Sequence, residues 1–241
     1  MNLTLKESLV TRSRVFSPWT AFYFLQSLLI NLGLGYPFSL LYTAAFTAIL
    51  LLLWRTLPRV QKVLVGISSL VAACYFPFAQ AYGAPNFNTL LALHSTNMEE
   101  STEILTIFPW YSYLVGIFIF ALGVIAIRRK KESEKARWNT FDSLCLVFSV
   151  ATFFVAPVQN LAWGGVFKLK DTGYPVFRFA KDVIVNNNEV IEEQERMAKL
   201  SGMKDTWTVT AVKPKYQTYV VVIGESARRD ALGAFGGHWD N

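Results

Sequence analysis

The string YVVVIGESARRD, residues 219–230, carries the side chains that come nearest to a chemical motif in this chain. Val220 to Ile223 form an unbroken apolar run, which is typical of a strand buried on both faces of a parallel sheet. Gly224 permits a tight turn after it. Glu225 would then lie at the carboxyl end of the strand, where α/β sheets bind ligands. The string predicts a strand that ends in an acidic turn.

This turn has three interpretations. A nucleophile elbow would use Ser226, but Arg228 stands where G-x-S-x-G needs its last glycine, and the candidate base, His238, is close in sequence. Glu225 could instead be an oxygen ligand to a divalent metal such as zinc, although one carboxylate does not make a metal site. In the third interpretation Glu225 is stabilised by the dipole of a following helix, and the string taken alone favours this one.

A second candidate region is the segment 82–107, which contains no Lys or Arg. Thr96, Glu100 and Glu103 would share one helical face, beside an apolar patch of Leu90, Leu91 and Leu93. An acidic face with a hydroxyl group just outside a bilayer could hold a cationic lipid headgroup such as ethanolamine. The alternative is a solvated surface helix capped by Ser95 or Thr96, and the sequence alone favours it because charged faces are usually solvated.

The elements that must position these residues follow from composition. Of the 241 residues, 53% are hydrophobic and 17% are charged, against about 25% charged in a typical soluble domain. The two cysteines lie within apolar runs and form neither a zinc pair nor a disulfide framework. Long apolar runs of about 20 residues predict five membrane spans. These spans are 16–34, 36–54, 63–81, 108–127 and 141–159.

The basic residues predict the orientation of the spans. They cluster in the N-terminal tail and in the loops after the second and fourth spans, at Lys6, Arg12, Arg14, Arg55, Arg59, Lys62, Arg128, Arg129, Lys130, Lys131, Lys135 and Arg137. By the positive-inside rule this side is cytoplasmic, so after five spans the C-terminal part is periplasmic. The net charge of +6 thus reflects membrane topology and does not indicate nucleic-acid binding.

A bridging region is predicted after the last span. Apolar residues repeat at helical spacing beside Arg178 and Lys181, which is typical of a helix lying in the membrane interface. The apolar residues are Val176, Phe177, Ala180, Val183 and Ile184. Asn186–Asn188 predict a break, followed by a second helix over 189–201 and a linker over 203–217.

The spans, the bridging region and a strand ending V-I-G-E-S-x-R resemble the inner-membrane phosphoethanolamine transferases, and among them the members that modify osmoregulated periplasmic glucans. This family joins a membrane domain to a periplasmic domain like those of alkaline phosphatase and the sulfatases. The resemblance implies an α-helical, five-span membrane domain over 1–162 and amphipathic bridging helices with a linker over 163–216. Residues 217–241 would contain the first strand of a truncated α/β domain.

The resemblance also implies a chemistry. Glu225 would be a zinc ligand, and Thr96 and Glu100 would bind the lipid donor, phosphatidylethanolamine. A zinc-activated threonine would attack the lipid phosphate, release diacylglycerol and pass phosphoethanolamine to a periplasmic glycan. That threonine and the other zinc ligands are expected beyond Asn241, so no catalytic residue is assigned here and this chain alone is expected to be inactive. Ala92 stands where some lipid A-modifying members have Asn, which agrees with a different acceptor.

Two other functions remain as alternatives. One is a transferase of the same superfamily that moves lipid-derived phosphoglycerol with manganese, as lipoteichoic acid synthases share the five-span arrangement. The other is a non-enzymatic membrane scaffold whose tail binds a partner, which predicts a natural stop after Asn241. The oligomeric state is not indicated by the sequence.

Overall fold

A computed structural model of the chain describes residues 17–129 and 138–203. Over these ranges the chain is mostly helical and contains no β-strand. The helices are α1 (Pro18–Gly33), α2 (Leu40–Thr56), α3 (Pro58–Tyr82), α4 (Phe87–Ser95), α5 (Met98–Ile107), α6 (Trp110–Arg128), α7 (Thr140–Ala162) and α8 (Pro175–Ser201), with a 3₁₀ turn at Leu169–Asp171. The predicted strand at residues 219–223 and its turn with Glu225 lie outside the described residues.

The described helices overlap all five predicted spans. Helices α3, α6 and α7 are long and apolar enough to cross a membrane, and α2 is a shorter apolar helix of 17 residues. Helix α1 has 16 residues, which at 1.5 Å per residue gives a length of about 24 Å. The chain is therefore a helical membrane protein, and the crossing by α1 and α2 belongs to the proposal below.

Polar side chains lie inside this bundle, while its outer surface is apolar. Gln26 of α1 donates a hydrogen bond to Ser69 of α3 at 3.1 Å, and Asn31 donates to Thr43 of α2 at the same distance. Most large exposed residues of α6 and α7 are apolar, among them Ile117 and Val147, and the polar exceptions Arg128, Gln159 and Asn160 lie near the helix ends. This distribution is expected where lipid surrounds the helices, because unpaired polar groups are costly in hydrocarbon.

Small residues allow α3 and α6 to approach closely. A Cβ atom added at Gly116 would lie 2.6 Å from the carbonyl oxygen of Ala73, and one at Gly123 would lie 2.6 Å from the Cβ of Ser69. Small residues at such contacts let helix backbones pack in a membrane, where the hydrophobic effect supplies no drive for helices to associate. The α3–α6 pair therefore forms the tightest helix packing that the glycines reveal.

One end of the bundle, here called the Arg55 end, is held by a nearly buried ion pair. The guanidinium of Arg55, near the end of α2, donates to the carboxylate of Asp142 in the first turn of α7. Asn139 and Asp142 form a capping box at the start of α7. The guanidinium of Arg129 lies 4.1 Å from the ring centroid of Trp19 and 4.4 Å from that of Trp54, so cation–π contacts join three helices there.

The bridging region differs from the prediction in one respect. Helix α8 runs without a break for 27 residues through Asn186–Asn188, so the predicted division into two helices is wrong. The side chain of Asn186 donates to the carbonyl oxygen of Asp182, one turn earlier, at 2.6 Å. This side chain bonds within the helix and does not compete with its backbone hydrogen bonds. By its internal contacts the chain divides into 1–199 and 200–241, and of the second unit the structure describes residues 200–203.

The close approach of α3 and α6 can be tested by adding a single methyl group. Gly116→Ala places Cβ against the backbone of Ala73, so the helices must separate, and we expect a loss of about 1–3 kcal/mol in stability. The measurement is the thermal unfolding midpoint of the chain purified in detergent. Gly66→Ala in the same interface is the control, because its Cβ would meet only the flexible end of Ile127 at 3.1 Å. Equal midpoints for the two variants would contradict the packing described.

Candidate functional site

Thr96 and Glu100 lie at the junction between α4 and α5. Thr96 is the C-cap of α4, with extended backbone, and Asn97 is the N-cap of α5. The predicted continuous face of Thr96, Glu100 and Glu103 is therefore wrong for Thr96, which precedes the helix that carries the two glutamates. The predicted caps Ser95 and Thr96 are also wrong, since Asn97 caps α5.

The side chains of Thr96 and Glu100 are nonetheless both held by hydrogen bonds to backbone atoms at this junction. The hydroxyl of Thr96 donates to the carbonyl oxygen of Ala92 at 2.6 Å. The carboxylate of Glu100 accepts a hydrogen bond from the backbone N–H of Asn97 at 3.3 Å, and the Asn97 side chain accepts one from the N–H of Glu100 at 2.9 Å. A hydroxyl that donates inward keeps its oxygen lone pairs as acceptors. The junction therefore offers acceptors suited to an ammonium group.

Helix α8 holds this junction from the side. A ring nitrogen of His94, in α4, lies 2.8 Å from the side-chain oxygen of Asn187, in α8. The side chain of Asn186 donates to the carbonyl oxygen of Pro85 at 3.5 Å. The asparagines predicted to interrupt a helix thus connect it to the segment that carries the candidate residues.

A cluster of polar residues attaches α8 to the bundle, at the end opposite Arg55. This Tyr36 cluster consists of Tyr36, Asp171, Arg178, Lys181 and Asp182. The Tyr36 hydroxyl donates to Asp182 at 2.8 Å, and Arg178 lies over the Tyr36 ring, 4.9 Å from its centroid. Lys181 bridges Asp171 and Asp182 at 3.3 and 3.4 Å. The loop between α1 and α2 is therefore tied directly to α8.

Two loops meet at the end of the bundle that carries the Tyr36 cluster, here called the Tyr36 end. Gly35 has a φ of +82°, and a Cβ atom added there would lie 2.4 Å from the carbonyl carbon and oxygen of Gly83. Only glycine combines this backbone conformation with so close a contact. The hydroxyl of Tyr75 donates to the same Gly83 carbonyl oxygen at 2.9 Å. The ends of α1 and α3 are thereby fixed where the candidate junction begins.

Tyr174 forms the second attachment of the region before α8. Its hydroxyl donates to the carbonyl oxygen of Ser149 in α7 at 2.8 Å, and its ring packs edge-on against Tyr42, 5.8 Å between centroids. Burial raises the pKa of Tyr174 to about 12. Burial and the neighbouring Asp182 carboxylate also raise the pKa of Tyr36. Both phenols therefore remain neutral hydrogen-bond donors at physiological pH.

The described residues do not form a metal site of their own. Within residues 17–129 and 138–203, no group of three or more His, Cys, Asp or Glu side chains could hold a metal ion. The predicted zinc ligand, Glu225, lies outside these ranges. Cys145 is buried, and Cys74 is exposed on the bundle surface where lipid would contact it.

Sequence reasoning missed the Tyr36 cluster. The spacing of Arg178 and Asp182 was a usable signal, since oppositely charged residues four apart on a helix attract each other, and they form an ion pair at 3.5 Å. Tyr36 gave no such signal, because its partner Asp182 lies far along the chain.

The apolar helices, their small-residue contacts and the attached amphipathic helix define a polytopic helical membrane protein. Over all of its 241 residues the chain is 99% identical to the phosphoethanolamine transferase OpgE of Escherichia coli (strain K12). It is 24% identical over 168 residues to a Haemophilus influenzae protein named provisionally as a phosphoethanolamine transferase. These matches confirm the resemblance seen in the sequence.

The extent of these matches limits what they show. The chain spans 46% of the Escherichia coli protein, and the aligned part covers 31% of the Haemophilus protein. No protein-family model matches the chain, and no solved structure matches it significantly.

The buried phenol of Tyr174 predicts a pH dependence. The folded chain keeps the phenol proton at a pH where the unfolded chain, with an ordinary pKa of 10.0, has lost it. The stabilisation is complete below pH 10 and is lost as the pH rises toward 12, by about 2 kcal/mol. The measurement is the thermal midpoint between pH 8 and 11.5.

The decline above pH 10 should be smaller in Tyr174→Phe, because this variant has no phenol to titrate at that position. Tyr111→Phe removes the hydroxyl from a half-exposed ring and serves as the control. If Tyr174→Phe and the unmodified chain lost stability in parallel, the assignment to Tyr174 would be wrong.

Proposed function

We propose that this chain is the membrane-embedded part of an enzyme that transfers phosphoethanolamine from phosphatidylethanolamine to a periplasmic glycan. The observation that carries the proposal is the 99% identity, over every residue of the chain, to a phosphoethanolamine transferase. The helical membrane architecture agrees with a lipid donor, because such a substrate has to be taken from a bilayer.

The proposal includes five crossings and a defined orientation. Helices α1 and α2 cross with α3, α6 and α7, which places the Arg55 end in the cytoplasm. Support comes from the position of the basic residues, since Arg55, Arg59, Lys62, Arg128 and Arg129 all lie at or beyond helix ends on that side. The Tyr36 end, with the α4–α5 junction, then faces the periplasm.

Thr96 and Glu100 are the proposed contacts for the ethanolamine group. The support is chemical: both side chains present oxygen acceptors, and a primary ammonium group carries three N–H donors. A position of the junction at the membrane surface is supported by the exposed apolar residues of α4 and α5, which include Leu93, Met98 and Ile107. A lipid headgroup could reach it there while its acyl chains stay in the bilayer.

The proposal also includes a metal ion. Glu225 would be one ligand of zinc, and zinc would supply Lewis-acid activation of the nucleophile and the phosphate. The described residues offer no complete ligand set, so we derive no step through the metal. In this proposal the described residues bind the donor lipid and hold the catalytic region at the membrane.

A transfer assay on the full-length protein tests the donor contacts. Glu100→Gln removes the charge that pairs with ethanolamine, and we expect transfer from phosphatidylethanolamine to fall about tenfold or more, since a hydrogen bond to a charged group contributes about 1.5–3 kcal/mol. The measurement is phosphoethanolamine found on a glucan acceptor by mass spectrometry. Modification by phosphoglycerol in its place would overturn the proposed donor.

Glu103→Gln is the matched control for that assay, because Glu103 lies one turn further along α5 and is also exposed. Its transfer rate should stay within about twofold of the unmodified protein, as a solvated carboxylate contributes little. The 241-residue chain alone is expected to give no turnover with added zinc. Equal losses of transfer rate in Glu100→Gln and Glu103→Gln would show that Glu100 is not a specific donor contact.

The orientation has a separate test. Alkaline phosphatase fused after Asn241 should be active in cells, because the odd number of crossings carries the C-terminal end to the periplasm. The matching fusion after Thr56, at the end of α2, should be inactive because that end faces the cytoplasm. The reverse pattern would place Thr96 and Glu100 on the wrong side of the membrane for a periplasmic acceptor.

A further inference from the structure

A hollow of about 380 Å³ opens where α7 ends and the 3₁₀ turn begins. Its lining combines one cationic, one anionic and one amide side chain with two apolar ones. The lining residues are Asn160, Trp163, Gly165, Val166, Lys168 and Asp171. Here it is called the Lys168 hollow. Its size lies in the range of small-molecule sites, which is roughly 300–1,000 Å³, and is suited to a headgroup rather than a whole phospholipid.

The floor of the hollow is built by the end of α7. The N–H of Gly165 donates to the carbonyl oxygen of Asn160 at 2.8 Å, and the N–H of Gly164 donates to that of Leu161 at 3.1 Å. These two bonds form a Schellman motif, which Gly164 permits through its φ of +81°. A Cβ atom at Gly165 would lie 2.8 Å from the Asn160 carbonyl oxygen. Glycine therefore allows this close backbone contact and adds no side chain to the hollow.

The segment around the 3₁₀ turn contributes one residue of each charge to the wall. The N–H of Asp171 donates to the carbonyl oxygen of Lys168 at 3.0 Å. Lys168 is the N-cap of this turn, and both Lys168 and Asp171 line the hollow. Asp171 uses Oδ1 for Lys181 at 3.3 Å, and its Oδ2 accepts no hydrogen bond from the described residues.

The same wall is fixed to the helical bundle. Gly173 packs so closely on the Tyr42 ring that an added Cβ atom would overlap it. Tyr174, one residue later, is anchored to Ser149 as described above. Asp171 is thus held by Lys181 and lies next to two residues that are packed against the bundle.

The surroundings of the hollow place it at the membrane surface. Trp163 is 84% exposed and Val166 is 69% exposed, while Phe167 and Leu169 beside them are also exposed. Exposed tryptophan and apolar side chains directly after a membrane helix are typical of the headgroup region. Lys168 extends from the same segment and has no ion-pair partner in the described part of the chain.

We infer that the Lys168 hollow binds the headgroup of a phospholipid that carries a primary ammonium group. Lys168 and the Asn160 amide contact the phosphate, Asp171 Oδ2 accepts a hydrogen bond from the ammonium, and Trp163 and Val166 face the upper acyl chains. One cation and one anion match a zwitterion, whereas an anionic headgroup would leave Asp171 opposed. The choice of the ethanolamine lipid rests on the proposed function, but its binding can be measured without any transfer.

The test uses the 241-residue chain in nanodiscs that contain equal amounts of phosphatidylethanolamine and phosphatidylglycerol. The protein is then released from the nanodiscs, and native mass spectrometry counts the lipids that stay bound to it. Lys168→Gln should lower retention of both lipids, because both carry the phosphate. Asp171→Asn should lower retention of phosphatidylethanolamine alone, by about tenfold, since it removes a charge-assisted hydrogen bond.

Lys170→Gln is the control, because Lys170 is exposed next to the hollow but does not line it. Each variant is compared by thermal midpoint, and Asp171→Glu should restore the preference for ethanolamine if the loss is not one of folding. Unchanged lipid ratios in correctly folded Asp171→Asn would overturn the inference. Displacement of the lipid by an equal concentration of soluble glycerophosphoethanolamine would overturn it as well, since the acyl chains would then contribute nothing.

These outcomes are separable from those of the proposed function. Normal transfer by the full-length protein, with lipid retention unaffected by Asp171→Asn, would refute the inference and leave the proposed function standing. The predicted retention pattern, together with no transfer by the full-length protein, would refute the proposed function and leave the lipid site.

Discussion

The structure depends on one constraint, which is that hydrogen-bond donors within a bilayer find their acceptors inside the protein. The side-chain NH2 groups of Gln26, Asn31 and Gln61 donate to Ser69, Thr43 and the hydroxyl of Tyr23, the last at 3.2 Å. Their three amide oxygens are buried and accept no hydrogen bond from the described residues. Each of these pairs joins two different helices. The polar pairs thus set which faces of α1, α2 and α3 meet, and the outer surface is left to apolar side chains.

Those faces can meet closely only where side chains are small. At Gly33 an added Cβ would lie 2.9 Å from the Cβ of Ala72, and Gly116 and Gly123 do the same work between α3 and α6. The polar pairs and the small residues act together, because a hydrogen bond of 3.1 Å such as that between Asn31 and Thr43 requires the two helix backbones to lie close together. The ends of the helices are then fixed within narrow limits, which is what the loops at the Tyr36 end require.

The Tyr36 end uses these fixed positions to hold α8. Asp182 is the centre of that attachment, since it accepts the Tyr36 hydroxyl and interacts with both Arg178 and Lys181. Its burial is tolerated because its oxygens have several partners. Through Asn187 and His94 the same helix reaches α4, so the bundle, the candidate junction and the bridging helix are parts of one arrangement.

The sequence predicted the parts of this arrangement that depend on local composition. All five apolar segments became helices within a few residues of their predicted limits, because a run of about 20 apolar residues has few other stable forms in lipid. The predicted break at Asn186–Asn188 failed because the hydrogen bonds of Asn186, to Asp182 and to Pro85, decide its role. Local propensity could not reveal Pro85 as a partner.

The candidate site was predictable in its residue types but not in its geometry. Glu100 was placed correctly on a helix, yet Thr96 fell outside it because Asn97 forms the capping box. An asparagine followed three residues later by a glutamate was visible in the sequence and is a usable cap signal. The Lys168 hollow was not visible, because it requires a Schellman turn and a 3₁₀ turn to face each other.

The two polar regions near the Tyr36 end differ in what they can bind. The α4–α5 junction presents acceptors from Thr96 and Glu100, so it suits an ammonium group. The Lys168 hollow presents both signs of charge and can therefore hold a complete zwitterionic headgroup. Lys181 connects them physically, because it bonds Asp171 in the wall of the hollow and Asp182 in the helix that holds α4. Occupation of the hollow is compatible with this attachment of α8, because the ammonium and Lys181 would bind different carboxylate oxygens of Asp171.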